Sequence, residues 1–216
     1  MKKKKLLIVV DYQNDFTVGS LGCPQAAAIE DTVAAKIEEY RAMGENAQII
    51  FTMDTHDKDY LRTQEGRNLP IEHCIKGFDG WQLYGKVAVL KSDSDLVFSK
   101  PTFGSLELAD YLRDKGDEYE SVELAGVVTN ICVISNMVLA KAAMPEVPIY
   151  VDAACVASND DALGEAALAV METMHVKVKR YRKIRMQHSC FEQLQTKQIG
   201  FFPAVTGKKP IFFKTL

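Results

Sequence analysis

Two kinds of apolar run alternate along the chain. Leu6–Val10 is a short unbroken one, preceded by four lysines and ended by Asp11, and such a run predicts a strand buried on both faces. Gln48–Thr52, Leu96–Ser99, Ser121–Val128, Ile149–Asp152 and Val176–Val178 are the other five expected strands, the third stopped by Pro101. Between them the period changes. Over Ala26–Met43, Ile29, Val33, Ile37 and Tyr40 fall on one stripe and Gly44 is placed to end a helix. Ser105–Lys115, closed by Gly116, and Ile131–Ala143, ended by Pro145, are further helices. Ser158-Asn159-Asp160-Asp161 can form a capping box for a last helix running to about His175. Strand and helix alternate throughout, which predicts a three-layer α/β/α fold around a central, mostly parallel six-stranded sheet.

Two stretches depart from this pattern. Met53–Lys86 has no clean period, so its residues answer to something other than packing. Residues 181–216 lack the alternation and are rich in Lys, Arg and Phe. Phe201-Phe202-Pro203 and Ile211-Phe212-Phe213 are too apolar to stand in water, so this extension is expected to pack on the body or on a partner subunit. The division expected is one domain over residues 1–180 and a C-terminal extension over 181–216.

The chain has 216 residues, 47% apolar and 25% charged, the composition of a globular protein. Lys+Arg 26 against Asp+Glu 29 leaves a net charge of -3, which excludes nucleic-acid binding by bulk electrostatics. The basic start followed by Leu6–Val10 has too short an apolar stretch for a secretion signal, and no run approaches a membrane span. Cys23, Cys74, Cys132, Cys155 and Cys190 are odd in number and scattered, which speaks against a disulfide framework or a zinc finger. A cytoplasmic protein with reduced thiols is expected.

In an open parallel sheet, ligands bind at the carboxyl ends of the strands. The polar residues there are Asp11 after the first strand, Asp54-Thr55-His56 after the second, Lys100 after the third, Cys132 after the fourth and Asp152 after the fifth. Cys132 starts a helix, whose positive end favours a thiolate. Lys100 is expected to lower the thiol pKa further, and Asp11 to take and return its proton. That is the set covalent catalysis needs. Asp54 and His56, followed by Glu65 and His73, form a second constellation. Asp-x-His on an extended segment points two ligands to one side, and such donors suit Zn, Mn or Fe at a site open to water. The other four cysteines are expected to be buried as small hydrophobes.

Three segments resemble the isochorismatase-like cysteine hydrolases, a family that includes the nicotinamidases. Val9-Val10-Asp11-Tyr12-Gln13-Asn14-Asp15-Phe16 is similar to the first-strand motif, Ser99-Lys100-Pro101-Thr102-Phe103-Gly104-Ser105 to the lysine segment, and Gly126-Val127-Val128-Thr129-Asn130-Ile131-Cys132-Val133 to the nucleophile segment. The resemblance implies a catalytic triad of Asp11, Lys100 and Cys132, and an oxyanion hole from the N–H groups of Val128 and Cys132. It also implies a cis peptide between Val127 and Val128, and Phe16 lining the ring pocket, with Trp81 and Phe103 as lesser candidates. His73-Cys74-Ile75-Lys76-Gly77-Phe78-Asp79-Gly80 resembles the nicotinamidase stretch that supplies a metal-binding histidine. Asp54, His56, Glu65 and His73 are then the implied ligands of a divalent metal, zinc the first expectation. Where many nicotinamidases have a second histidine, six residues after the first, this chain has Arg62, and Glu65 fits the glutamate that some members use instead.

The activity implied is hydrolysis of a small carboxamide through a thioester, nicotinamide to nicotinate and ammonia in the first instance. The nearest alternative is an isochorismatase-like hydrolase or another amidase with a different substrate and no metal. A thiol redox protein is a more distant one, since Cys132 has no evident resolving cysteine in the sequence. A silent scaffold using the apolar tail is disfavoured by retention of all three triad residue types. The partners expected are the small-molecule substrate and further copies of the chain in a homodimer or homotetramer, with no nucleic acid and no membrane.

Overall fold

The computed structural model describes residues 2–180; the expectation for the extension after residue 180, and for Cys190 within it, lies outside the described residues. Six strands, β1 (Lys4–Val10), β2 (Ala47–Asp54), β3 (Leu96–Lys100), β4 (Tyr119–Val127), β5 (Ile149–Ala157) and β6 (Lys177–Lys179), form one sheet in the order β3-β2-β1-β4-β5-β6. Every pairing is parallel. The helices are α1 (Asn14–Thr17), α2 (Pro24–Ala28), α3 (Glu30–Ala42), α4 (Gln64–Asn68), α5 (Gly85–Leu90), α6 (Leu106–Lys115), α7 (Ile134–Ala143) and α8 (Asp161–Thr173). No helix among the described residues is long and apolar enough to cross a membrane.

β1 shows why its sequence is apolar without a break from Leu6 to Val10. Successive side chains of a strand point to opposite faces, and here both faces are covered. Leu6, Ile8 and Val10 pack with Leu108 and Leu112 of α6, Met137 of α7 and Leu168 of α8. Leu7 and Val9 pack with Val33 and Ile37 of α3 and Val87 of α5. The strand order reverses at β1, with β2 on one side and β4 on the other, so the carboxyl ends of β1 and β4 flank the crevice where such sheets bind ligands. Gly126 lies opposite Val10 at this point, with φ +114. A Cβ there would stand 2.1 Å from Val10 O, so only glycine lets β4 pass this close to the strand that carries Asp11.

Several boundaries differ from the sequence reading. The helix expected over Ala26–Met43 is broken at Ile29 (φ -93, ψ 4), and the Thr32 hydroxyl there donates to Ile29 O at 2.9 Å and to Ala154 O at 2.6 Å. The helix after β4 begins with a wide π turn, Thr129–Val133, and becomes regular only at Ile134. Asp160 caps α8 by accepting Leu163 N–H at 3.0 Å, while Ser158 accepts Asp160 N–H and donates to Asn130 Oδ1. β5 continues to Ala157, so Asp152 lies inside the strand rather than at its end.

A buried carboxylate reads as a strand end in sequence, but here it has a counter-charge. Lys36 Nζ lies 3.4 Å from Asp152 Oδ2 and 3.2 Å from Glu123 Oε1. Glu123 also accepts from Tyr40 at 2.9 Å and from Lys179 at 2.9 Å. Burial raises the Glu123 pKa, but Lys179 and Lys36 more than offset that and hold it below 4.5. Burial lowers the Lys36 pKa, and the Glu123 charge more than reverses it, above 10.5. A depressed carboxyl stabilises above its unfolded pKa and a raised ammonium below its own, so the cluster is at full strength between 4.5 and 10.5. Glu123→Gln is expected to cost about 1–2 kcal/mol at neutral pH, because buried Lys36 loses one carboxylate and keeps Asp152 and the half-exposed Glu39. The deficit should shrink below pH 4.5 as the wild-type carboxyl itself protonates; denaturant melts at pH 7 and pH 4 check this.

Candidate active site

Three strand ends bring Asp11, Lys100 and Cys132 together. Asp11 follows β1 with φ 45, a left-handed turn that aims its carboxylate into the crevice. Asp11 Oδ1 accepts the Thr52 hydroxyl at 2.7 Å, and Oδ2 stands 2.6 Å from Lys100 Nζ. Lys100, the last residue of β3, also donates to Thr102 O at 2.9 Å and lies 3.5 Å from Cys132 Sγ. Cys132 sits in the π turn after β4, and the peptide between Val127 and Val128 is cis. All three triad candidates are buried, Asp11 at 0% exposure, Lys100 at 1% and Cys132 at 3%.

The electrostatics correct one expectation. Burial, and then the Asp11 carboxylate, push the Cys132 thiol well above its ordinary value, and Lys100 only partly opposes them. Cys132 is therefore held as a neutral thiol rather than the thiolate expected. Burial raises the Asp11 pKa as well, against the pull of Lys100, which makes Asp11 a better base than an exposed aspartate. Lys100 stays charged: burial lowers its pKa, and Asp11 first, then Cys132 and Asp54, more than restore it.

Asp54 joins this triad to the second constellation. Its Oδ1 lies 3.2 Å from Lys100 Nζ, while Oδ2 lies 3.0 Å from His56 Nε2 and 3.4 Å from His73 Nε2. One donor atom from each of Asp54, His56 and His73 falls within 4.8 Å of the others. His73 Nδ1 is 2.9 Å from Ile71 O; when it donates there, Nε2 keeps a lone pair aimed at the cluster. A carboxylate and two imidazoles so arranged fit a divalent metal. Glu65 Oε1 is 3.7 Å from His73 Nε2 and 4.0 Å from His56 Nε2. It is carried there by α4, whose cap Thr63 accepts Gly66 N–H. Arg62 is exposed and has no place in the cluster. Asp152 belongs to the Lys36 cluster described above.

A pocket of about 400 Å³ opens over both groups, lined by Phe16, Leu21, Cys23, Leu69, Phe103, Val128, Ile131 and Asn159 together with Asp54, Glu65, His73 and Cys132. The Phe16 ring centroid is 5.7 Å from that of His73. Trp81 does not line the pocket; its indole donates to Thr55 at 2.9 Å. Cys23 is half-buried and lines the pocket, unlike Cys74 and Cys155, which are buried as expected.

Sequence reading missed the residues that hold these groups. Gln13 is fully buried; its amide nitrogen donates to Asp54 O at 2.9 Å and its amide oxygen accepts Asp54 N–H at 2.8 Å, gripping that residue from both sides. Asn136 donates to Cys132 O at 2.8 Å and to Phe103 O at 3.1 Å and accepts Ser105 N–H at 3.0 Å, tying the nucleophile turn to the lysine segment. Two amides beside apolar runs, one of them four residues after the cysteine on a helix face, were the available signals.

The arrangement has known counterparts. The "Isochorismatase domain" family model matches residues 5–180. The isochorismatase family protein PncA of Bacillus subtilis is 32% identical over 146 residues, covering 62% of this chain and 77% of its own. A crystal structure of nicotinamidase/pyrazinamidase PncA from Bacillus subtilis superposes with a TM-score of 0.72 at 29% identity, over 82% of this chain and 100% of that one. The pyrazinamidase of Pyrococcus horikoshii, solved in complex with zinc, does so with a TM-score of 0.69 at 26% identity, over 82% and 99%. A family match that spans the whole sheet and takes in every strand-end residue described above leaves no competing fold, and the chain belongs to the isochorismatase family of hydrolases.

Proposed function

We propose that this hydrolase cleaves the C–N bond of a small, uncharged aromatic carboxamide, nicotinamide to nicotinate and ammonia in the first instance, through a thioester on Cys132. One observation carries the substrate class. The pocket that places Cys132 beside the Asp54–His56–His73 cluster has no lysine or arginine among the described residues lining it. A substrate with its own carboxylates, as isochorismate has, would meet Asp54 and Glu65 and no basic side chain in that lining, whereas a flat neutral ring meets Phe16, Leu69 and Phe103. The solved nicotinamidase and pyrazinamidase relatives support the same reading.

Asp11 takes the Cys132 proton as sulfur attacks the amide carbon. The tetrahedral oxyanion is received by the N–H groups of Val128 and Cys132, each such donor being worth about 3 kcal/mol to the transition state. Asp11 then gives its proton to the leaving nitrogen, and the C–N bond breaks to release ammonia. In the second half Asp11 deprotonates water, which attacks the thioester; the carboxylic acid departs and the sulfur recovers the proton. Lys100 remains an ammonium throughout and holds Asp11 in place. Asp54, His56, Glu65 and His73 would hold a divalent metal, zinc on the chemistry of the donors, and when bound it supplies a Lewis-acid anchor for a ring nitrogen. A homodimer or homotetramer is the assembly we expect.

Ammonia release from nicotinamide by the purified protein tests this, with metal content determined on the same sample. The expected result is turnover with about one metal per chain. Benzamide, which lacks the ring nitrogen, should be at least about 10-fold poorer in kcat/KM. Release from neither amide, with metal bound, would overturn the substrate assignment.

A further inference from the structure

Asp15 takes no part in the chemistry above, yet its carboxylate joins two chain segments that line the pocket. Oδ2 accepts Cys74 N–H at 2.7 Å, and Oδ1 accepts Ser20 N–H at 3.2 Å. Cys74 directly follows His73 and has φ 48, so its amide is held in a backbone conformation that side-chain-bearing residues seldom adopt. Ser20 leads into Leu21, Gly22 and Cys23, all on the pocket wall. The same residue fixes that wall through its backbone, since Asp15 O accepts Leu21 N–H at 2.9 Å. The two segments also meet directly, the Ser20 hydroxyl donating to Glu72 O at 3.0 Å. Two glycines make room for the carboxylate: a Cβ on Gly80 would lie 2.1 Å from Oδ2, and one on Gly19 2.3 Å from Oδ1. Neither a shorter nor a neutral side chain satisfies both amides and fills this space.

We propose that Asp15 is a positioning residue that fixes the His73 imidazole and the Leu21–Cys23 wall as one unit, so that the substrate ring and the metal cluster stay in register. Its effect on substrate affinity rests on the carboxamide reading of the site; the clamp itself does not. Outer hydrogen bonds of this kind orient the groups that hold a metal, and their loss costs about 10- to 100-fold in metal affinity.

The test combines amide hydrogen exchange on metal-free protein with zinc affinity measured against a chelator. In Asp15→Ala, residues 18–23 and 72–76 should exchange faster together and zinc affinity should fall about 10-fold. KM for nicotinamide should rise about 10-fold, with kcat at saturating zinc and substrate within about 3-fold of wild type. Asp15→Asn keeps one acceptor oxygen and should restore protection to one segment but not both. Gly80→Ala keeps Asp15 but takes its space, and should reproduce the Asp15→Ala behaviour; these two variants carry the test if Asp15→Ala does not fold. Wild-type exchange in both segments would overturn the clamp, and unchanged zinc affinity and KM with loosened segments would overturn its role at the site. If the wild-type protein neither binds zinc nor releases ammonia, the carboxamide reading fails while the exchange comparison still decides the clamp.

Discussion

Cys132→Ala is expected to lower ammonia release from a carboxamide by at least about 10³-fold while leaving the melting transition close to that of wild type. The loss follows from the proposed role of the sulfur as the atom that forms the thioester; without it neither Asp11 nor Lys100 has a partner to activate, and members of such a unit fail together. The retained stability follows from the electrostatics. The thiol is held neutral by burial and by Asp11, so the substitution removes no charge. The Asp11–Lys100 pair at 2.6 Å is untouched, and the cost is the packing of one buried sulfur, about 1 kcal/mol. The same neutrality predicts slow alkylation by iodoacetamide in the resting enzyme. Rate assays and thermal melts on the same preparation check both halves, and a folded Cys132→Ala protein with ordinary turnover would remove the mechanism.

The neutral thiol also marks where sequence reading stops. A cysteine at a helix start beside a lysine predicts a thiolate, and the residues are indeed adjacent, but the sign of the balance depends on burial and on Asp11, which a sequence does not quantify. The architecture was far more legible, because a stretch buried on both faces must be apolar throughout and Leu6–Val10 of β1 is. The strand ends, and so Asp11, Lys100 and Cys132, followed from that pattern. What stayed hidden belongs to Met53–Lys86 and to side-chain clamps. Loops there lack periodicity because they satisfy one another through single contacts, such as Gln13 on Asp54 and Asp15 on Cys74. Asp152 misled for a related reason: its counter-charge, Lys36, is far away in sequence, so a buried carboxylate looked like a strand end.

Lys100→Met is expected to lose both activity and about 3–5 kcal/mol of stability near neutral pH. Lys100 is the cation 2.6 Å from Asp11 and 3.2 Å from Asp54, at side-chain exposures of 0%, 0% and 5%. Without it, Asp11 loses its cation and Asp54 keeps only His56 and His73. Burial already raises the Asp11 pKa above 3.8, and Lys100 is the largest influence against that rise, so its removal moves Asp11 further up. A carboxyl whose folded pKa lies above its unfolded value stabilises less as pH rises through that interval. The deficit of Lys100→Met should therefore be larger at pH 8 than at pH 5. A higher Asp11 pKa leaves a smaller fraction of Asp11 ionised and able to take the thiol proton, so turnover should fall even in the folded fraction. Asp11→Asn added to Lys100→Met should return part of the lost stability, because it removes the uncompensated charge, and the double-mutant cycle should be strongly non-additive. Denaturant melts of the four proteins at the two pH values, with chelator present so that no metal ion stands in for Lys100, separate the cases. An additive cycle with a pH-independent deficit would mean that Lys100 contributes through packing of its alkyl chain rather than through its charge.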